Sequence, residues 1–154
     1  MKIVSIIIPH YNGKELLHNC INSIYQNISI ENFEIIVVDN GSKDESVKNI
    51  RQLFSDVIII SNKENVGYSG GCNIGAKNAE GKYLIFLNND TEHSKDWIEK
   101  LVSFLDSNPD TFAAQPKILN IKNKEYFDYA GGAGGFIDHF CFPYVKGRVF
   151  NTLE

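Results

Sequence analysis

Four short runs, Ile3 to Ile8, Glu34 to Val38, Val57 to Ile60 and Tyr83 to Leu87, are apolar almost throughout, and longer segments of helical periodicity separate them. A strand with one wet face alternates polar and apolar residues; a strand covered on both faces does not need to. The runs therefore specify an α/β fold, with a mostly parallel central sheet whose crossover helices cover both faces. In the first crossover Leu16, Leu17, Cys20, Ile21, Ile24 and Tyr25 recur at helical spacing and define one buried stripe. Ser42 with Glu45 reads as a capping box for a second helix with Val47, Ile50 and Phe54 inward. A third, glycine-rich helix is expected to start near Ser69 to Gly71 and to run to about Ala79. A fourth follows Ser94, with Trp97, Ile98, Leu101, Val102 and Leu105 facing inward, and Asn108-Pro109 stops it.

Beyond Pro109 the texture changes. Phe112 to Leu119 reads as a further strand, and the five residues 131–135, all Gly or Ala, form a turn or a loop that lets backbone approach something closely. The 154 residues read as one domain. The last residues, Asn151-Thr152-Leu153-Glu154, carry no stop signal, so the sequence is expected to be a fragment of a longer protein.

Composition narrows the function classes. A formal net charge of −4 with scattered Lys and Arg provides no basic patch, which argues against nucleic acid as a partner. The apolar runs fall far below the roughly 20 residues needed to span a bilayer. The Ile3 to Ile8 run leads into Pro9 and His10 without a small-residue cleavage site, so it suits a buried strand better than a signal core. Cys20, Cys72 and Cys141 have neither the paired spacing of a zinc site nor a disulfide framework, which fits a reduced cytoplasmic setting. The histidines do not converge on metal-ligand spacing: His10 reads as a rim residue, and His18, His93 and His139 as surface or packing positions. No nucleophile elbow surrounds a serine, which leaves a hydrolase poorly supported.

In an open parallel sheet, ligands bind beyond the carboxyl ends of the strands. The polar residues here follow that rule: Pro9-His10-Tyr11-Asn12-Gly13, Asp39-Asn40-Gly41-Ser42, Ser61-Asn62 and Asn88-Asn89-Asp90 each close a run. Asp39 at such a rim could accept hydrogen bonds from a base or ribose, or could simply form a turn and cap the next helix. Asp90 could hold a divalent cation across a diphosphate, since Mg²⁺ commonly takes one or two carboxylates plus phosphate oxygens, or could cap the helix that follows. The segment from Asn65 to Gly75 is a glycine-dense loop entering a helix. Its N–H groups could face an anion, and close helix packing is the alternative. It lacks GK[ST] and does not follow the first strand, so it is neither a P-loop nor a dinucleotide fingerprint.

Taken together, Val4 to Asn12, Glu34 to Asp44, Asn65 to Gly75 and Phe86 to Asp90 resemble, in order and spacing, the successive motifs of family 2 glycosyltransferases. The resemblance covers residues 3 to 105. The later Gly134 to Asp138 and Pro143 to Arg148 stretches look like the rhamnosyltransferase-like branch. The resemblance implies a GT-A, Rossmann-like three-layer sandwich, with a nucleotide-binding core over residues 1–108 and the incomplete start of an acceptor region over residues 109–154. It implies that Pro9, Tyr11 and Asn12 border the nucleotide, that Asp39, with Asn40 and Ser42 beside it, hydrogen-bonds a uracil or thymine, and that Asn65, Gly67, Gly70 and Asn73 shape the floor of that pocket. Asn88, Asn89 and Asp90 stand where the family has its DXD motif, with Asp90 as the carboxylate for Mg²⁺ or Mn²⁺; an Asn replaces the first acid. The implied activity is inverting transfer of a sugar from a UDP- or dTDP-linked donor to a saccharide or lipid-linked acceptor in bacterial cell-surface polysaccharide synthesis. This would take place in the cytoplasm, with room for peripheral association at the inner face of the membrane. The base that takes the acceptor proton is expected past Glu154, since Asp128 and Asp138 read as structural loop residues. A non-catalytic nucleotide-sugar-binding module is the alternative. A nucleotidyltransferase is weaker, because the loop after the first strand lacks the glycines and cations that grip a triphosphate.

Overall fold

The computed structural model describes residues 2–126, 135–137, 139–140, 143–145, 148–149 and 152–153. Strands and helices alternate: β1 (Val4–His10), α1 (Lys14–Asn27), β2 (Phe33–Asp39), α2 (Ser46–Leu53), β3 (Ile58–Ser61), α3 (Gly67–Lys77), β4 (Tyr83–Phe86) and α4 (Trp97–Ser107). Two units form, Met1–Val102 and Ser103–Glu154. In the second, β5 (Gly135–Ile137) pairs antiparallel with β6 (Pro143–Val145), and β7 (Arg148–Val149) with β8 (Thr152–Leu153).

In the first unit the strands form one parallel sheet in the order β3-β2-β1-β4. β1 and β2 are buried along nearly their whole length, which is why their sequences do not alternate. On one face Val4, Ile6, Ile8, Ile35 and Val37 pack with Leu17, Cys20, Ile21 and Ile24 of α1, Ile50 of α2 and Trp97 and Ile98 of α4. On the other, Ile7, Ile36 and Val38 lie under Ile74 and Ala76 of α3. Gly71 and Gly75, one helical turn apart, permit this approach: a Cβ on Gly75 would sit 2.3 Å from Ile7 Cγ2, and one on Gly71 would sit 2.9 Å from Pro9 Cβ. The layers are therefore helix, sheet, helix.

The amino-terminal ends of the strands are closed by their own polar cluster. Ser5 and Glu34 are register partners on β1 and β2, and the Ser5 hydroxyl donates to Glu34 Oε1. The same carboxylate accepts the Glu80 N–H at 2.8 Å, and Ser5 Oγ accepts the Gly81 N–H at 2.8 Å, which stitches the turn before β4 to the sheet. This satisfies a buried carboxylate and hydroxyl that would otherwise destabilise the core.

Several expectations are corrected. The capping box does not form: Ser42 Oγ accepts the Asn12 N–H, and α2 starts instead from Asp44, whose carboxylate takes the Ser46 N–H at 3.1 Å. Leu16 is 51% exposed, outside the buried stripe of α1. α3 opens at Gly67, ahead of the expected start, and ends at Lys77. Phe112 to Leu119 is not a strand: the segment is irregular apart from an isolated bridge at Leu119, and Phe112 is fully exposed. A strand needs a ladder partner, and Pro116 has no N–H to give one. Of the expected turn at 131–135, only Gly135 lies among the described residues, and it opens β5.

Candidate active site

Parallel pairing brings the carboxyl ends of β1, β2, β3 and β4 to one edge. His10, Asp39 and Ser61 are successive register partners across β1, β2 and β3. β4 ends lower, with Phe86 opposite Ile7, and the chain continues along β1 through the bond from Leu87 N–H to the Ile7 carbonyl, 2.9 Å. Asn89 then reaches His10, its Nδ2 lying 2.8 Å from Nδ1 of the ring. Asp39, at the end of β2, and the Asn89-Asp90 turn, which follows β4, thus lie to the two sides of the end of β1.

The rim loops are laced together by hydrogen bonds of their own. Asn12, held at φ 53°, accepts the Lys43 N–H on Oδ1 at 2.9 Å and gives its own N–H to Ser42 Oγ at 2.9 Å. The Gly13 N–H donates to Asp44 Oδ2 at 2.7 Å. Asp39 is buried, and its Oδ1 accepts the Ser42 N–H at 2.9 Å, so the turn reading of this residue holds. Oδ2 takes no hydrogen bond among the described residues. Asn40 is a brace: its Nδ2 donates to the Gly67 carbonyl at 3.3 Å and its Oδ1 accepts from Asn62 Nδ2 at 3.0 Å. Asn65 accepts the Gly67 N–H at 2.9 Å and sets up the φ of +75° with which α3 begins.

The structure therefore sorts the residues singled out in the sequence. Tyr11, Asn12, Asp39, Asn40, Ser42, Asn65 and Gly67 belong to the loops around the ends of β1 and β2. Pro9 is buried beneath Gly71, so it shapes the site from below and does not line it. Gly70 is half-buried, and a Cβ there would press on Val66 at 2.9 Å. Asn73 lies on the exposed flank of α3, where Tyr68, Ser69, Cys72, Asn73 and Phe86 line a shallow hollow of about 340 Å³.

At the other side of β1, Thr91 donates to the Asn88 carbonyl at 2.9 Å, and the Cys20 thiol reaches the same oxygen at 3.6 Å, so α1 supports this turn. Burial pushes the Cys20 thiol up to about 11, which disfavours the thiolate. Asp90 is exposed, and it makes no hydrogen bond among the described residues. No group of three His, Cys, Asp or Glu side chains capable of caging a metal occurs among the described residues. The donors present, one carboxylate flanked by two amides, suit a hard cation that a substrate's phosphate oxygens would complete, and do not suit an all-protein cage.

His10 lies at the rim, as read from the sequence, but its role there was not foreseen: it is only 1% exposed, with Nε2 2.9 Å from Ser46 Oγ and Nδ1 on Asn89. Burial lowers its pKa, against the opposing pull of Asp44 and Asp39. The other described histidines pack as expected: His93 stacks on Trp97 at 4.6 Å, His18 tilts against Phe54 and exposed His139 lies against Phe140. Asp128 and Asp138 lie outside the described residues.

The family model described as Glycosyl transferase family 2 matches residues 5–141. The chain belongs to glycosyltransferase family 2. A glycosyltransferase of Haemophilus influenzae is 37% identical to this family 2 chain over 122 residues, covering 77% of the chain and 37% of that protein. The Bacillus subtilis glycosyltransferase YfnE is 41% identical over 98 residues, covering 62% of the chain and 25% of that protein. This family 2 chain thus spans well under half the length of these relatives. Among solved structures it is similar to S. aureus TarS 1–349 in complex with UDP, with a TM-score of 0.65 and 25% identity over 71% of this chain and 33% of that one. A UDP-GlcNAc complex of TarS gives a TM-score of 0.64. The helix-sheet-helix layers are those of the GT-A fold.

Proposed function

We propose that this domain binds a pyrimidine nucleoside diphosphate sugar across the end of β1, and that the whole protein transfers the sugar, with inversion, to a hydroxyl acceptor. The observation that supports the reading is the strand order, which puts Asp39 and Asn89-Asp90 after the strands on the two sides of β1. The unused Oδ2 of Asp39 is the acceptor for a uracil or thymine N–H. Tyr11 is half exposed beside it and offers a face to the base. Gly67 and its neighbours close the pocket floor, and Asn73, on the outer flank of α3, bounds it on that side. Asp90, with the amides of Asn88 and Asn89, would hold Mg²⁺ or Mn²⁺, which supplies charge neutralisation for the departing diphosphate. The complexes of TarS with UDP and UDP-GlcNAc support the choice of a uridine-type donor.

Binding is assigned to this chain, with residues 1–108 as its nucleotide-binding core. Acceptor recognition begins with residues 109–154 and needs the rest of the protein, including the carboxylate that deprotonates the acceptor. A saccharide or lipid-linked saccharide of the cell surface is the proposed acceptor class, with the enzyme at the cytoplasmic face of the membrane. No helix among the described residues is long and apolar enough to cross a membrane. Calorimetry with UDP, dTDP and GDP, each with and without Mn²⁺, tests the donor reading: the pyrimidine diphosphates should bind and be strengthened by the cation, and GDP should not bind. Equal binding of GDP, or none of the three, would refute it. Donor hydrolysis or transfer assays on the full-length protein separate an enzyme from a module that only binds.

A further inference from the structure

We propose that His10 is a positioning residue, whose hydrogen bonds fix which end of the Asn89 side-chain amide faces the donor's diphosphate. The proposal rests on the donor reading above and adds a determinant to it. Four side chains form a continuous chain of hydrogen bonds from the loop before α2 to the loop after β4. Asp44 Oδ1 accepts the Ser46 hydroxyl, Ser46 Oγ lies 2.9 Å from His10 Nε2, and His10 Nδ1 lies 2.8 Å from Asn89 Nδ2. Asp44 also takes the Ser46 and Gly13 N–H groups, so its carboxylate is saturated with donors and has none to give.

The direction of every bond in the chain follows. A hydroxyl has one hydrogen, and Ser46 gives it to Asp44, so Ser46 Oγ can only accept from the ring and Nε2 must carry the hydrogen. From the other end, Asn89 Nδ2 can only donate, so Nδ1 must be bare. Both ends demand the same neutral tautomer. With its NH₂ turned inward to the ring, Asn89 directs Oδ1 to the opposite side of the amide, next in sequence to the carboxylate of Asp90. A carboxylate on one loop thereby dictates, through serine and imidazole, that the position holding an amide in place of an acid still offers an oxygen and not an NH₂. An oxygen is what a cation bound to a diphosphate requires. An NH₂ would repel it.

Three variants test this. His10→Phe keeps the ring volume but cannot accept from Asn89, whereas His10→Gln carries an acceptor oxygen and a donor NH₂ on one group. Ser46→Ala breaks the chain without touching the ring. UDP binding in the presence of Mg²⁺ should weaken about tenfold in His10→Phe and Ser46→Ala, the loss of one ordered charge-directed contact, and return to within about threefold of the parent in His10→Gln. Uridine affinity should not move. Independently of any ligand, the Asn89 side-chain NH₂ should give a dispersed, exchange-protected ¹⁵N signal in the parent and in His10→Gln that is lost in His10→Phe. Retention of that signal and of Mg²⁺-UDP affinity in His10→Phe or Ser46→Ala would overturn the proposal, as would a His10→Gln variant no better than His10→Phe. A parent chain that shows the Asn89 signal but binds no UDP would refute the donor reading alone, because the amide would then be fixed without a diphosphate to serve.

Discussion

Asp39 divides its carboxylate between two tasks, and the division makes its role testable without unfolding the loop. Oδ1 holds the Ser42 N–H, so removing the whole side chain would loosen the turn as well as any ligand contact. Asp39→Asn keeps an oxygen for Ser42 and replaces Oδ2, the proposed acceptor for the base, with a donor. The expected outcome by calorimetry is UDP affinity reduced by roughly 10- to 100-fold, the scale of one hydrogen bond to a charged group, with a thermal midpoint close to the parent. Asp39→Ala should abolish binding and also lower the midpoint. Parent-like affinity in both variants would remove Asp39 from the site. The turn formed by Asp39 was legible in the sequence because an Asp followed by Asn, Gly and Ser has local partners. His10 was not, because its partners Ser46 and Asn89 lie 36 and 79 residues away. At the end of an apolar run it read only as a rim residue, and the fold shows that Ser46 and Asn89 close over it.

Among the elements, α3 shows where composition alone leaves two readings open. Its glycines suited either a loop whose N–H groups face an anion or close helix packing, and Gly71 and Gly75 face β1 and are spaced to present one smooth side to the sheet. The i, i+4 spacing carried that information, and it is a packing signal. Gly75→Ala sets two magnitudes against each other: alanine improves helix propensity by about 1 kcal/mol, while a Cβ 2.3 Å from Ile7 Cγ2 must push α3 off the sheet, with overpacking costing about 1–3 kcal/mol. Packing wins, because the contact is far inside van der Waals distance. The expected result is a net loss of up to about 2 kcal/mol, a drop of several degrees in thermal midpoint by circular dichroism; a midpoint at or above the parent would mean that α3 can shift freely. β1 and β2 were legible for the converse reason, since burial on both faces leaves a run of Ile and Val that no amphipathic element produces; β3 and β4 are as apolar but only partly buried, with Ile58, Leu84 and Phe86 exposed. Phe112 to Leu119 has similar apolar content, but apolar content does not supply the ladder partner that a strand needs.

At the scale of the molecule, the sandwich is sealed at both ends of its strands by buried polar groups, and this sets its response to acid. Burial holds His93, stacked on Trp97, down at about 4, and burial also lowers His10. An unfolded histidine titrates near 6.5. Between about pH 6.5 and 4 the unfolded chain therefore binds protons that the folded chain refuses, and stability must fall as pH falls through that window. Above 6.5 both states hold neutral rings, and the contribution to the slope disappears. Asp44 is shifted in the same direction for a different reason: partial burial opposes its charge, but hydrogen bonds from Ser46 and Gly13 outweigh this and lower its pKa, so its stabilisation is present above the ordinary carboxylate range and is lost as pH falls below it. The histidines therefore govern the first phase of acid destabilisation and Asp44 a later one. For His93, a half-buried ring partly screened by solvent, the first phase amounts to about 1–2 kcal/mol. Urea unfolding should give a clearly lower midpoint at pH 4.5 than at 7.5 and little change between 7.5 and 8.5. His93→Phe, which retains an aromatic ring for Trp97, should flatten the low-pH limb, leaving the smaller dependence that His10 supplies. Equal midpoints at pH 4.5 and 7.5 in the parent would show that these rings accept protons in place. The neutral His10 that orients Asn89 would then have to be sought at higher pH, and the loss of acid sensitivity would count against the sealed end of the strands on which the site is built.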